Sequence, residues 1–289
     1  MARCMVSRRQ FLVLAAAPAL VPAVALVASF SILGDLVRQI SGGRIQPRLL
    51  VAADQDAHVF QPKPSDLRAV GAADVLVTNG LGFEGWMDRL AQAAGFKGRL
   101  IVASAGVTPR QTPDGQTDPH AFQSVPNIKR YVANLHAGLI HADPAGAAIY
   151  ADAASRYSAH LDTLDAAIRA AWAPIPRERR RIITTHDALG YYGAEYGVDF
   201  FAPEGFSTES EPSARALRSL IGQISSQQIT ALFLENISNG ALLKQIAHEA
   251  KVKIGGTLYS DALSPASGPA STYIALMQHN TGLMTNAVR

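Results

Sequence analysis

The sequence predicts an α/β protein of two small lobes, each with a parallel sheet flanked by helices, joined by one long rigid helix. The 289 residues are enough for two domains of ordinary size, each with its own core. Short β-like runs alternate with helical segments, which is typical of parallel sheets covered by helices. Between the two halves lies a continuous apolar stripe at helical spacing, longer than a crossover between two strands requires.

The composition is that of a folded protein with no general affinity for polyanions. Hydrophobic residues make up 48% of the chain and charged residues 17%, which argues against disorder. The chain has 26 basic and 23 acidic residues, and three of the basic ones, Arg3, Arg8 and Arg9, lie in the first 25 residues, which contain no acid. The remainder is formally neutral, so the sequence indicates no basic surface for nucleic acid.

The amino terminus resembles an export signal. Residues 7–12, Ser-Arg-Arg-Gln-Phe-Leu, match the twin-arginine pattern, and an apolar stretch from Phe11 to Val27 follows. An uncleaved membrane anchor is the alternative, but Pro18 and Pro22 interrupt the stretch, which is shorter than the roughly 20 residues of a spanning helix. The only cysteine, Cys4, precedes the stretch, so we expect a free periplasmic protein without a lipid anchor.

After this segment, seven β-like runs are separated by helical ones. Pro64-Ser65-Asp66 predicts a cap before a helix at 67–72, and Glu211-Pro212-Ser213 predicts the start of a helix at 214–224. The predicted strands are 24–30, 48–53, 74–79 and 99–104 in the first half, and 181–185, 230–235 and 253–259 in the second.

The middle of the chain predicts one helix of about 29 residues, or roughly 43 Å. Asp143 can cap it with Pro144 in its first position, and no proline follows until Pro174. Its apolar residues follow a 4-3-4-3 spacing: Tyr150, Ala154, Tyr157, Leu161, Leu164, Ile168 and Ala171. We interpret it as a backbone joining two lobes; a coiled-coil dimer seam is the alternative, although Ala and Tyr fill such a seam poorly. The predicted division is a signal peptide (1–25), an amino-terminal lobe (26–142), the linking helix (143–173) and a carboxyl-terminal lobe (174–289).

Four metal-ligating side chains recur along the chain at nearly even intervals: His58, His120, His186 and Asp261. Three of them follow predicted strands, and ligands in open α/β sheets bind in the crevice outside the carboxyl ends of strands. Three imidazoles and one carboxylate form a complete tetrahedral set for Zn²⁺. The sequence therefore predicts one Zn(II) per chain, in the cleft between the lobes.

Specific motifs surround these residues. They are Asp-Ala-His-Val-Phe-Gln-Pro-Lys-Pro-Ser-Asp (56–66), Asn-Gly-Leu-Gly-Phe-Glu (79–84), Asp-Pro-His (118–120), Thr-Thr-His-Asp-Ala-Leu-Gly-Tyr (184–191) and Leu-Tyr-Ser-Asp-Ala-Leu (258–263). With them the chain resembles the periplasmic solute-binding proteins of metal-uptake ABC transporters, in the zinc/manganese cluster that ZnuA and AztC typify. The resemblance covers nearly the whole chain after the export segment.

The resemblance implies that the same four residues are the metal ligands and that two α/β lobes are bridged by one long helix. It also implies transport of the ion to a membrane ABC permease, with a periplasmic zinc chaperone as a possible further partner. Manganese-selective relatives carry a carboxylate where this chain has His186, so the resemblance favours zinc. We expect a monomer.

Four further polar residues are expected to support the ligands. Asn79, Glu235 and Asn236 end predicted strands that face the crevice, and Glu209 is a fourth candidate. The five remaining histidines lie in helical stretches and are not expected to bind metal: His136, His141, His160, His248 and His279.

Three other functions stay open at this point. A manganese-binding relative would share the fold. A secreted zinc hydrolase would keep an open coordination position and use a base such as Glu235, whereas four protein ligands leave no such position. A structural zinc site would share closed coordination with a carrier. We expect a carrier and not an enzyme.

Overall fold

The computed structural model describes residues 24–289 except positions 113, 114, 211, 228, 230 and 239. The twin-arginine motif, Cys4 and almost all of the predicted export segment lie outside the described residues, and so does Glu211 of the predicted helix start. Within the described part of the chain, no helix is both long enough and apolar enough to cross a membrane.

Two four-stranded parallel sheets form the two lobes. The first sheet has the order β2-β1-β3-β4 and the second β6-β5-β7-β8, so both sheets repeat the same topology. The strands of the first are β1 (Leu26–Phe30), β2 (Arg48–Val51), β3 (Val75–Thr78) and β4 (Arg99–Val102). Those of the second are β5 (Arg181–Ile183), β6 (Asp199–Phe201), β7 (Ala231–Glu235) and β8 (Lys253–Leu258).

Helices cover both sheets and also connect them. They are α1 (Ser31–Ile40), α2 (Pro64–Gly71), α3 (Met87–Ala93), α4 (Val125–Ala142), α5 (Ala147–Trp172), α6 (Gly190–Tyr196), α7 (Ala214–Ser226), α8 (Ala241–Ala250) and α9 (Tyr273–Val288). The predicted start of α2 was wrong by three residues. Pro64 is its first residue, where the missing N–H costs nothing, and the Asp66 carboxylate accepts from the backbone N–H of Lys63 at 2.9 Å.

The long helix joins the lobes as predicted, with a different start. Pro144–Gly146 form a 3₁₀ turn, and α5 then runs for 26 residues. The Asp143 carboxylate does not cap it; it accepts instead from Arg44 Nε and from the Tyr150 hydroxyl, each at 2.5 Å.

The apolar stripe of α5 is covered within the chain. The predicted stripe residues from Tyr150 to Ile168 are buried. Ala171, the predicted last residue of the stripe, is only half-buried, and Trp172 takes its place as the last buried residue of the helix. The helix packs against α1 and α4 on one side and against α6 and α9 on the other. A coiled-coil dimer would need this same stripe at its interface. Because the stripe is already buried within the chain, the structure does not support the coiled-coil alternative.

One hydrophobic core extends through both lobes. Phe30 and Val77 of the first sheet, Phe233 and Leu258 of the second, and Met277 of α9 all belong to it. A smaller cluster on the other face of the second sheet contains Ile183, Leu220 and Leu243. The shared core, with α5 and α9 packed across it, places the carboxyl ends of both sheets beside one cleft.

Candidate metal centre

All four predicted donors are delivered to this cleft by segments that follow strands or precede a helix. His58 lies in the turn after β2, and His120 comes directly before a short 3₁₀ helix, Ala121–Gln123. His186 follows β5 and Asp261 follows β8, each three residues past the strand end. Each lobe thus contributes two of the donors.

The donor atoms converge on a common point. Asp261 Oδ2 lies 3.0 Å from His186 Nε2 and 3.1 Å from His58 Nε2. It lies 3.6 Å from His120 Nε2, and the Nε2 atoms of His58 and His120 are 3.3 Å apart. One donor atom from each residue lies within 4.8 Å of every other, and all four side chains are buried.

These spacings suit a small divalent ion. Bonds of 2.0–2.2 Å to zinc in a regular tetrahedron separate neighbouring donors by about 3.3–3.6 Å. The four donor–donor distances described for this site run from 3.0 to 3.6 Å, so they equal this separation or fall slightly below it. Asp261 Oδ1 is also buried and has no hydrogen-bond partner among the described residues.

The two histidines of the first lobe sit in turns of the same kind. In each, an aspartate two residues earlier accepts from the histidine backbone N–H: Asp56 from His58 at 2.8 Å, and Asp118 from His120 at 3.0 Å. Asp118 Oδ1 also lies 2.9 Å from His120 Nδ1, which directs the other ring nitrogen into the cleft. Sequence reasoning assigned Asp118 no role, although the repeated Asp-x-His spacing was a signal for it.

Asp118 is in turn held by hydrogen bonds from Arg110 and Tyr191. Arg110 Nη1 donates to Asp118 Oδ2 at 2.8 Å, and the Tyr191 hydroxyl donates to the Asp118 carbonyl at 3.1 Å. The guanidinium lies against Gly190, where any side chain would collide with it. Arg110 and Asp118 come from the first lobe and Tyr191 from the second, so this arrangement also fixes the lobes against each other.

Glu235 lies at the end of β7 and contacts His186 in the second lobe. Its Oε1 accepts from the backbone N–H groups of Thr185 and His186 at 2.7 and 3.0 Å. Its Oε2 lies 2.7 Å from His186 Nδ1, an ion-pair distance, although the angles are not those of a hydrogen bond. The carboxylate therefore contacts both the backbone and the ring of His186.

The two asparagines hold the loops that carry the donors. Asn79 donates to the Pro119 carbonyl at 2.9 Å and accepts from the Tyr131 hydroxyl at 2.7 Å. Asn236 donates to the carbonyl of Ala262, next to Asp261, at 3.2 Å and to Asp54 of the other lobe at 2.9 Å.

Glu209 does not belong with these residues. Its side chain is exposed, and its backbone N–H donates to Ser207 Oγ. Unlike the other three candidates, Glu209 does not end a predicted strand, so no sequence pattern directed its side chain toward the crevice. The five other histidines lie on α4, α5, α8 and α9, and the four donors form the one group that could hold a metal ion in the described part of the chain.

Aromatic rings surround the histidines and keep the site apolar at its edges. Phe83 makes edge contacts with the rings of His58 and His120, at centroid distances of 4.8 and 5.7 Å. Phe122 packs against His120 at 5.9 Å, and Trp86 Nε1 donates to the carbonyl of Ala57 at 2.7 Å. Such a shell limits water and strengthens the electrostatic interactions among the buried groups.

Burial and charge act in opposite directions on the ionisable groups. Burial alone would lower the pKa of His120, but the Asp261 and Asp118 carboxylates raise it to about 9. For His186, burial is likewise outweighed by Glu235 and Asp261, which raise its pKa well above the usual value. Burial would raise the pKa of Asp261, but His120 and His186 hold it well below its usual range. Without an ion, the site favours imidazolium groups around a carboxylate.

The chain is similar to proteins that bind metal ions. A family model described as the periplasmic component A of a zinc-uptake complex matches residues 26–287. The chain belongs to this family. Its members are solute-binding components of metal-uptake ABC transporters, as the sequence motifs predicted.

Relatives within the family carry different metals in their names. The manganese-binding lipoprotein MntA of Halalkalibacterium halodurans is 32% identical over 256 residues, which cover 88% of this chain and 85% of MntA. The zinc-binding protein TroA of Treponema pallidum is 29% identical over 273 residues, covering 91% and 88%. The solved structure of the TroA protein superposes with a TM-score of 0.87 at 26% identity, over 91% of this chain and 98% of TroA. Family membership therefore does not identify the ion, and the choice between zinc and manganese depends on the donor atoms of the site.

Proposed function

We propose that this protein captures one Zn²⁺ ion in the periplasm and delivers it to an ABC permease for zinc import. The observation that carries the proposal is the convergence of three imidazole nitrogens and one carboxylate oxygen from both lobes on one buried point. Three nitrogen donors favour a borderline-soft ion, and Zn²⁺ binds such a site more tightly than Mn²⁺ does. His58, His120, His186 and Asp261 are the proposed ligands.

Manganese is the second candidate, and two observations favour it. MntA, a relative at 32% identity, is named for manganese. The partnerless Oδ1 of Asp261 could add an oxygen ligand and raise the coordination number, which suits a harder ion. We weigh the three imidazoles more heavily, because they supply most of the donors whichever way the carboxylate binds.

A carrier fits this site better than a hydrolase does. With four protein donors around the ion, no position is left for a catalytic water. Glu235, the base that a hydrolase would need, is engaged by the backbone of Thr185 and the ring of His186. We therefore propose a solute-binding protein, not an enzyme.

The proposed location is the periplasm, after export by the twin-arginine pathway and without a lipid anchor. MntA is named a lipoprotein. In this chain the only cysteine, Cys4, precedes the apolar stretch. Cell fractionation with and without detergent tests this part: a free protein is released with the periplasmic contents. We further propose a monomer that contacts a membrane permease and can receive zinc from a periplasmic chaperone.

The test of the metal assignment is metal analysis with competition titration of the exported protein. We expect one Zn²⁺ per chain and a markedly higher affinity for Zn²⁺ than for Mn²⁺. His58→Ala, His120→Ala or His186→Ala should each weaken binding strongly, whereas the exposed His160→Ala on α5 is a matched control that should not. Equal affinity for the two ions would overturn the zinc assignment, and full affinity in the histidine variants would overturn the site.

A further inference from the structure

Gln123 connects the segments that carry two proposed ligands from opposite lobes. It is the last residue of the 3₁₀ helix that follows His120, and its backbone N–H donates to the His120 carbonyl at 3.0 Å. Its side-chain Nε2 donates to the carbonyl of Ser260, the residue before Asp261, at 2.6 Å. One residue therefore bonds directly to one ligand and to the neighbour of another.

This connection is fully buried. Gln123 and Ser260 are both 0% exposed. The bond from Nε2 is the one hydrogen bond found for the Gln123 side chain, because Oε1 has no partner among the described residues. A carbonyl left without its donor in such a place would lose a hydrogen bond that water cannot replace. The hydrogen bond found for the Gln123 amide therefore holds the Ser260 carbonyl in place.

The other hydrogen bonds that fix the segment around Asp261 attach mainly to residues that are not adjacent to Asp261. Asn280 brackets Tyr259 with two hydrogen bonds, to its N–H and its carbonyl. On the other side, Ser31 Oγ accepts from the Leu263 N–H at 3.0 Å. Asn236 holds the Ala262 carbonyl at 3.2 Å, a longer contact than that of Gln123. The bond from Gln123 is therefore the shortest attachment to a residue adjacent to Asp261.

We propose that Gln123 is a positioning residue that sets how long the ion stays bound, by holding Asp261 of the second lobe against His120 of the first. This inference rests on the proposed function, since residence time has meaning only for a site that binds an ion. If the amide is lost, Ser260 can shift and Asp261 Oδ2 leaves the point shared by the histidines. Zinc should then dissociate faster without any change in the ligands themselves.

The test compares Gln123→Met with Asn134→Leu. Methionine keeps the length of the side chain and removes the donor. Asn134 on α4 also donates its amide to main-chain carbonyls, those of Ala103 and Ala105 at 2.8 Å, but within one lobe. Both variants should melt at a lower temperature. We expect zinc affinity to fall about tenfold in Gln123→Met, through faster release to a chelator in stopped-flow mixing, and to stay unchanged in Asn134→Leu.

Hydrogen exchange of the ion-free proteins supplies a second readout. Exchange should accelerate at residues 259–263 in Gln123→Met, and at residues 103–107 in Asn134→Leu. Unchanged zinc release and unchanged exchange at 259–263 would overturn the role of Gln123. If the wild-type protein binds no zinc, the proposed function fails, while exchange at 259–263 still decides whether Gln123 holds the segment. Gln123→Asn, whose shorter side chain cannot reach Ser260, gives the same test should the methionine variant not fold.

Discussion

Asp118 links a buried histidine to a cation at the surface. Its two oxygens contact His120 Nδ1 and Arg110 Nη1, at 2.9 and 2.8 Å. A carboxylate in this place fixes the tautomer and orientation of the ring and increases its basicity as a ligand. The arginine in turn balances the carboxylate, so Asp118 can be buried beside an ion without remaining an unpaired charge.

Asp118→Asn should therefore weaken zinc binding by about 10- to 100-fold while the four ligands remain. The physical reason is loss of orientation and basicity at His120. Asp162→Asn is a matched control, because Asp162 lies exposed on α5 and pairs with Lys129. Competition titration of both variants checks the prediction; equal affinities would show that Asp118 does not act through His120.

In the ion-free site, protonated histidines carry positive charge where the ion would bind. The carboxylates of Asp261 and Glu235 face His120 and His186, whose pKa values are both raised. Two imidazolium protons carry the same charge as one divalent ion. Binding can therefore exchange two protons for one Zn²⁺ without changing the total buried charge.

Zinc binding at pH 7.5 should accordingly release close to two protons. The pKa of His120 is raised to about 9, so protons compete with the ion throughout the neutral range, and affinity should rise steeply from pH 6.5 to 8.5. Calorimetry in buffers of different ionisation enthalpy measures the protons released. Absence of proton release at pH 7.5 would show that the histidines are already neutral in the ion-free protein.

The same groups predict how pH affects the ion-free fold. A histidine whose pKa is higher in the folded than in the unfolded protein stabilises the fold fully below about pH 6.5. That contribution is lost as pH rises through about 9 for His120. Melting curves of the ion-free protein should thus shift to lower temperature between pH 7 and 9, and a constant melting temperature would contradict the raised pKa.

The convergence of His58, His120, His186 and Asp261 could be predicted because residue type and position after strands were both informative. It also indicated Asn79, Glu235 and Asn236, since strand ends in parallel sheets share one edge. Asp118 and Gln123 were not singled out, because the roles proposed for them depend on what faces them, which only the packing of the lobes determines. Glu209 was included although it ends no predicted strand, and its side chain is exposed.

Among the elements, β1 limits where an export signal can be cleaved. It is a central strand that pairs with both β2 and β3, and its first residue, Leu26, is already in register with Val75. Just before it, the Ala25 backbone N–H donates to Asp74 Oδ2 at 2.9 Å. Loss of residues beyond Ala25 would remove ladder hydrogen bonds from the middle of the first sheet.

The mature protein should therefore begin no later than about residue 26. Mass spectrometry of the periplasmic form measures its first residue. A start at residue 29 or 30 would mean that β1 cannot form as described. Replacing Arg8 and Arg9 by lysine should retain the precursor in the cytoplasm, and unchanged export would remove the twin-arginine assignment while leaving the limit set by β1 intact.

The elements themselves were predictable to different degrees. Seven strands were found from their β-branched runs, each within a few residues of its observed ends. β6 was missed because Asp199–Phe201 has three residues and is only half-buried, so no pattern marks it. The start of α5 was misplaced because Asp143 bonds to Arg44 and Tyr150, a tertiary interaction that local cap chemistry does not reveal.

The two lobes that contribute the proposed ligands already share one hydrophobic core. Phe30 and Leu258 belong to the same hydrophobic cluster although they come from different sheets. The long helix α5 packs against elements of both lobes. A large hinge rotation would disrupt these contacts, so we expect ion binding to order the loops around the donors instead.

The ion-free protein should consequently be folded, and zinc should stabilise it further. A ligand at a free concentration 10⁴ times its Kd adds roughly 5 kcal/mol to the free energy of unfolding. Hydrogen exchange should slow on zinc binding near residues 56–61, 118–122, 184–190 and 259–264. An ion-free protein that is globally unfolded would indicate a structural zinc site and would contradict the carrier proposal.

The most direct test of the central claim is anomalous diffraction from crystals of the zinc-loaded protein, recorded above and below the zinc absorption edge. We expect one zinc peak per chain, 2.0–2.2 Å from His58, His120, His186 and Asp261, with no bound water. A peak elsewhere, or an ion held by the donors of one lobe alone, would contradict it.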